Sequence, residues 1–143
     1  MSSSDIERLS SLCRGEISAV EAYGQVLHAD VSSRCAKRLR DCQTSHQTRV
    51  DLLRMQIGLL GGDAPSKAGP WGTFASAVEK LAAAAGAKLA LAMLDEGEAH
   101  GLRRYRAQAH ALDASSNALL NKRLLPLQLE TRRIVRDLRH NAP

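Results

Sequence analysis

The segment Leu9–Val26, LSSLCRGEISAVEAYGQV, and its counterpart at 91–108, LAMLDEGEAHGLRRYRAQ, decide how the chain is read. In the first, Ile6, Leu9, Cys13, Glu16, Val20, Tyr23 and Leu27 fall on an alternating three-and-four spacing, the seam of a helix with one buried face. In the second, the seam is Leu91, Leu94, Glu98, Leu102, Tyr105, Ala109 and Leu112. A shift of 82 residues superimposes them: Leu9 on Leu91, Leu12 on Leu94, Gly15 on Gly97, Glu16 on Glu98, Val20 on Leu102 and Tyr23 on Tyr105. Each seam is apolar apart from one glutamate and one tyrosine two turns further on. The repetition predicts an internal duplication.

Working outward, each of these helices is followed by a second one. A first helix from about residue 4 to 31 is followed by Ser32-Ser33, a cap, and by a second helix to Leu60. The only Pro- and Gly-rich linker, Gly61-Gly62-Asp63-Ala64-Pro65 through Gly69-Pro70-Trp71-Gly72, leads into a short helix from Phe74 to Ala85, ended by Gly86. A third long helix is expected from Ala87 to Leu112, a turn at Asp113–Asn117, and a fourth to about His140. Pro126 lies inside that fourth helix, where it removes a backbone bond and frees the Lys122 carbonyl, so the helix should restart or curve there. Trp71 is expected to plug one end of the assembly. The second helices also correspond, with a shift of 85: Leu39, Cys42, His46 and Leu53 fall on Leu124, Leu127, Thr131 and Leu138, and Gln43 on Gln128.

The prediction is an all-α up-down four-helix bundle of two hairpins, residues about 4–60 and 87–140, joined by a linker with a short helix at 61–86, within a single domain covering 1–143. Composition agrees. The chain has 143 residues, 44% hydrophobic but only 3% aromatic, which suits Ala- and Leu-rich helices better than a β-sandwich. No basic region precedes an apolar stretch near Met1, and no window approaches the roughly 20 apolar residues of a membrane span, so a cytoplasmic protein without membrane association is expected. Cys13, Cys35 and Cys42 read as small core residues; the last two, seven apart on one helix, lie about 10 Å from each other, too far for a bridge. The net charge of +5 and the arginines at 132, 133, 136 and 139 raise nucleic acid as a partner, but Glu130 and Asp137 interrupt them and almost no aromatic is present to stack on bases. A solvated face is the better reading.

A Glu and a Tyr seven residues apart, repeated in two helical hairpins, give the chain a family resemblance. Gly15-Glu16 to Tyr23, Gly97-Glu98 to Tyr105, and the Leu59-Leu60-Gly61-Gly62 step with Trp71 beyond it resemble the rubrerythrin-like branch of the ferritin-like superfamily, and more closely a bacterial ferritin-like family of unknown function. In the metal-binding relatives each half supplies one Glu from its first helix and a Glu-x-x-His pair from its second, so that six side chains surround two irons. The resemblance therefore implies metal positions at Glu16, Glu98 and His46. It departs where the pairs should stand, in Gln43-Thr44-Ser45-His46 and Gln128-Leu129-Glu130-Thr131. Two carboxylates and one histidine are a thin shell for two irons.

Three readings of the polar seam follow. The favoured one is a buried hydrogen-bond network that adds Tyr23, Gln43, Tyr105, Gln128 and Thr131 to Glu16, His46 and Glu98, in a non-catalytic, interaction or stress-associated protein with a degenerate metal site. A single zinc, manganese or iron ion on Glu16, His46 and Glu98 is the second, as a metal-handling or redox protein. A full di-iron centre is the third. Without metal, two neighbouring carboxylates should raise each other's pKa and leave one of Glu16 and Glu98 neutral at pH 7. A homodimer is implied by the resemblance. No phosphate loop, nucleotide fingerprint or His-Glu-x-x-His pair points to an enzyme.

Overall fold

The computed structural model describes residues 3–141, which are all-α, with no strand among them. Helices α1 (Ser3–Leu27), α2 (Ser33–Leu59), α3 (Gly72–Ala85), α4 (Ala87–Gln108), α5 (Ala114–Leu119) and α6 (Leu125–Asn141) follow in order. A short 3₁₀ turn at Gly69–Trp71 precedes α3, and a π-helical turn at Leu120–Leu124 joins α5 to α6. The main packings close a ring: α1 on α2, α2 on α6, α6 on α4 and α4 on α1, with α3 laid across α1 and α4.

Local chemistry sets the boundaries. Ser32 is extended and its hydroxyl accepts the Cys35 N–H (3.1 Å), capping α2; Asp113 does the same for α5 through Ser116 (3.2 Å). Both caps shorten the preceding helix relative to expectation. α1 stops at Leu27 rather than 31, and α4 at Gln108 rather than Leu112, because the intervening residues tighten into four-residue turns, such as Ala29 N–H to Val26 O (3.0 Å) and Ala111 N–H to Gln108 O (3.0 Å), ahead of the extended cap. Ala109 and Leu112 still pack on the core from outside the helix. Between α3 and α4, Gly86 (φ 87°, ψ 179°) adopts a backbone conformation open almost only to glycine, which turns the chain in one residue. At Pro126 the helix neither breaks nor starts free: the π turn just before it absorbs the missing N–H, and Pro126 becomes the second residue of α6.

Two apolar clusters fill the interior. One contains Val26, Leu39, Cys42, Val78, Leu94 and Val135; the other Leu9, Leu12, Leu53, Ile57, Leu120 and Leu124. Each fully buried aliphatic side chain contributes about 1.5–3 kcal/mol by leaving water. Cys13, Cys35 and Cys42 are free thiols buried in these clusters, and burial raises all three pKa values, Cys13 to about 11 and Cys42 to about 12. No helix among the described residues is long and apolar enough to cross a membrane. Between the two clusters lies a layer of polar side chains.

Candidate functional site

The seam positions converge on this layer. Glu16 (α1), His46 (α2), Glu98 (α4), Gln128 and Thr131 (α6) are all buried, as are Tyr23 and Tyr105. His46 stands at the centre and bridges the carboxylates: Nδ1 is 2.5 Å from Glu16 Oε1 and Nε2 is 2.6 Å from Glu98 Oε2. The tyrosines cross over. Tyr23 donates to Glu98, and Tyr105 donates to Glu16, so each hydroxyl serves the carboxylate of the other helix. Gln128 Nε2 and Thr131 Oγ1 donate to Glu98 Oε1 at 2.9 and 2.8 Å, and Gln128 Nε2 also reaches the Glu98 carbonyl (2.8 Å).

One member was missed in the sequence. Arg49 is completely buried, and its guanidinium is held at 3.4 Å from Glu16 Oε2 and 3.0 Å from Thr131 Oγ1; it also donates to Gln128 and to Ser45 Oγ (3.3 Å). The signal was present, because 39, 42, 46, 49 and 53 continue the same three-and-four spacing; an arginine on an apolar seam is as informative as a glutamate. Gln43, by contrast, does not join the network. It is half-buried and donates to the Val20 carbonyl (3.0 Å), so its equivalence with Gln128 does not extend to the same contacts.

Arg49 also corrects the expected ionisation. Burial by itself raises the Glu16 carboxyl, but the Arg49 and His46 charges and the hydrogen bonds from His46 and Tyr105 outweigh it and bring the pKa from 4.5 down to about 2. Burial likewise works against the Glu98 carboxylate, and His46 with Arg49 and Tyr23 again reverses it, holding its pKa below the usual range. For His46, burial and Arg49 favour the neutral ring, yet the two carboxylates prevail and raise its pKa. Both glutamates are therefore ionised at pH 7, and because each His46 ring nitrogen faces an oxygen of one of these acceptor-only carboxylates, both nitrogens carry a proton and the two negative charges face a guanidinium and an imidazolium. Two minus and two plus sum to zero. Burial and the adjoining carboxylates push both tyrosines well above their ordinary range, keeping them as O–H donors.

The residues do not make a metal shell as placed. Both ring nitrogens of His46 point at carboxylate oxygens, and the Arg49 guanidinium supplies cationic charge beside Glu16, where a metal would supply its own. No group of three or more His, Cys, Asp or Glu side chains among the described residues is arranged to hold a metal ion. Glu21, Glu96 and Glu130 are exposed and stand apart.

A cavity of about 350 Å³ runs from the surface between α1 and α4 to this layer, with Glu16, Glu98, His46 and Gln128 at its inner end. Trp71 forms part of its wall over the middle of α1 and α4, not at an end of the assembly as the sequence suggested. The indole is fixed there by the Arg104 guanidinium, 4.4 Å from its ring centre, by His100 at 5.4 Å, and by Ser18 Oγ, which donates to the Trp71 carbonyl (2.7 Å). His100 and His110 are exposed. Two of the four arginines on α6 are paired, Arg133 with Glu130 (2.7 Å) and Arg139 with Asp95 (2.7 Å), while Asp137 of the same helix takes Arg38 of α2 (3.2 Å). Comparison with family models, curated proteins and solved structures finds no match for the chain.

Proposed function

We propose that this protein is a ferritin-like up-down four-helix bundle, derived by duplication of a helical hairpin, in which protein cations have taken over the role of a metal centre. The observation that carries the reading is the Arg49 guanidinium inserted beside Glu16, with His46 bridging Glu16 and Glu98. The crossed Tyr23–Glu98 and Tyr105–Glu16 pairs support the duplication, because two copies of one hairpin related by an approximate two-fold axis exchange their contacts in this way. A centre of zero net charge whose acceptors are already hydrogen-bonded is suited to rigidity and specificity of packing, not to turnover. The protein then acts without catalysis, as an interaction or stress-associated module, and as a homodimer whose mass light scattering reads.

A second reading keeps Glu16, His46 and Glu98 as ligands of iron, manganese or zinc. It is favoured by one observation, that these three residues meet, and it requires Arg49 and one His46 contact to give way. Elemental analysis of protein purified without a metal-affinity tag, before and after aerobic ferrous loading and desalting, separates the two. The first reading expects no stoichiometric metal in either sample. Stoichiometric metal that disappears in Glu16→Ala or His46→Ala would overturn it in favour of the second.

A further inference from the structure

The cavity between α1 and α4 is not accounted for by a self-contained polar centre. Its volume of about 350 Å³ corresponds to about a dozen water molecules, enough for a small organic molecule with a similar number of non-hydrogen atoms. Its wall is mostly apolar, built by Leu12, Ala19, Leu94, Phe74 and the Trp71 ring. The polar atoms at the inner end are already engaged: the carboxylates accept from His46, Arg49, Gln128, Thr131 and the two tyrosines.

The mouth differs in character. Arg103, exposed, and Arg104, half-buried against Trp71, line it together with one carboxylate, Glu96. Two positive charges and one negative leave +1 there. Among the described residues Arg104 makes one side-chain hydrogen bond, from Nη2 to Ser11 Oγ (2.6 Å), which leaves its other N–H groups to meet a ligand. Burial and the two arginines lower the His100 pKa, so this ring adds no charge at pH 7.

We propose that this cavity binds a small amphiphilic monocarboxylate of about a dozen non-hydrogen atoms, its apolar body between α1, α3 and α4 and its carboxylate on Arg104 and Arg103. The charge at the mouth suits a monoanion, and the neutral inner layer does not repel one. The proposal is independent of the family reading: a cavity that binds nothing leaves the Glu16–His46–Glu98–Arg49 centre unchanged, and a metal at that centre leaves the mouth unchanged.

Decanoate is a suitable probe, with decylammonium as its opposite in charge. Trp71 is the only tryptophan, so its fluorescence reports occupancy directly. Titration of the protein with decanoate is expected to give a saturable change with one site by calorimetry. Affinity should fall about tenfold for decylammonium and for Arg103→Gln or Arg104→Gln, as expected on losing a charge-assisted contact. Ala19→Phe, which fills the apolar section, should abolish binding while melting cooperatively. Arg103 is exposed, so its substitution tests the charge without disturbing the core. Absence of a saturable response to decanoate, equal affinity for the two probes, or unchanged binding in Ala19→Phe would each overturn the proposal.

Discussion

Replacing Arg49 with methionine tests the electrostatic account of the polar layer most directly. Methionine retains much of the side-chain volume, so the change is chiefly loss of a buried charge and its donors rather than creation of a cavity. Glu16 would then face its burial with only His46 as cationic partner, and Gln128 Oε1 and Thr131 would each lose the guanidinium contact. Removing one partner from a buried ion pair costs about 3–5 kcal/mol. For a chain of this length each kcal/mol shifts the melting temperature by about 3 °C, so Arg49→Met should melt about 10–15 °C below the unaltered protein. Circular dichroism during heating and urea titration read this loss. The double variant Arg49→Met/Glu16→Gln supplies the decisive comparison. It removes both charges together, leaves Glu98 paired with His46, and keeps an amide oxygen to accept the Tyr105 hydroxyl. It should recover at least half of the lost stability. A loss below about 1 kcal/mol in the single variant, which is the scale of a surface ion pair, or a double variant no more stable than the single, would refute the reasoning.

Three further expectations follow from the same geometry. Stability should depend on pH in both directions: the contribution of Glu16, whose pKa falls from 4.5 unfolded to about 2 folded, is present above pH 4.5 and lost as pH drops toward 2, with Glu98 acting in the same sense. His46, raised above 6.5, contributes fully below pH 6.5 and loses its contribution as pH rises through the folded value, so urea midpoints should be highest between about pH 4.5 and 6.5, and His46→Gln should flatten the alkaline limb. Gly101→Ala should destabilise the fold by about 1–3 kcal/mol, because the added Cβ would stand 2.8 Å from Gln128 Nε2 and push that amide off Glu98; a neutral result in thermal melts would show that Gln128 has room to move. Gly15→Ala meets Arg104 Nη1 at 2.6 Å, the free end of a flexible side chain, so it should leave the melting temperature within a few degrees while weakening decanoate binding.

Much of the site was legible before the fold, and the exceptions are instructive. Glu16, Glu98, Tyr23, Tyr105, His46 and Thr131 were found because each interrupts an apolar three-and-four spacing, and burial on a helix follows from spacing alone. Arg49 obeys the same rule, a charged side chain at an apolar seam position. Gln43 was included by its correspondence with Gln128, yet a correspondence in sequence does not orient a side chain; Gln43 found a backbone acceptor on its neighbouring helix instead.

The sequence by itself determined that the chain is all-α, where its long helices lie to within a few residues, and which polar side chains enter the core, because helical periodicity and capping act over a few residues at a time. Only the tertiary structure decided the charge state of that core, which depends on how close Arg49 and His46 come to Glu16 and Glu98 across three helices. The same holds for the cavity. The linker places Trp71 against Arg104, and the space beneath exists only where α1, α3 and α4 meet. Coulomb interactions and excluded volume both depend on distances between residues far apart in the chain, and no local pattern records those distances.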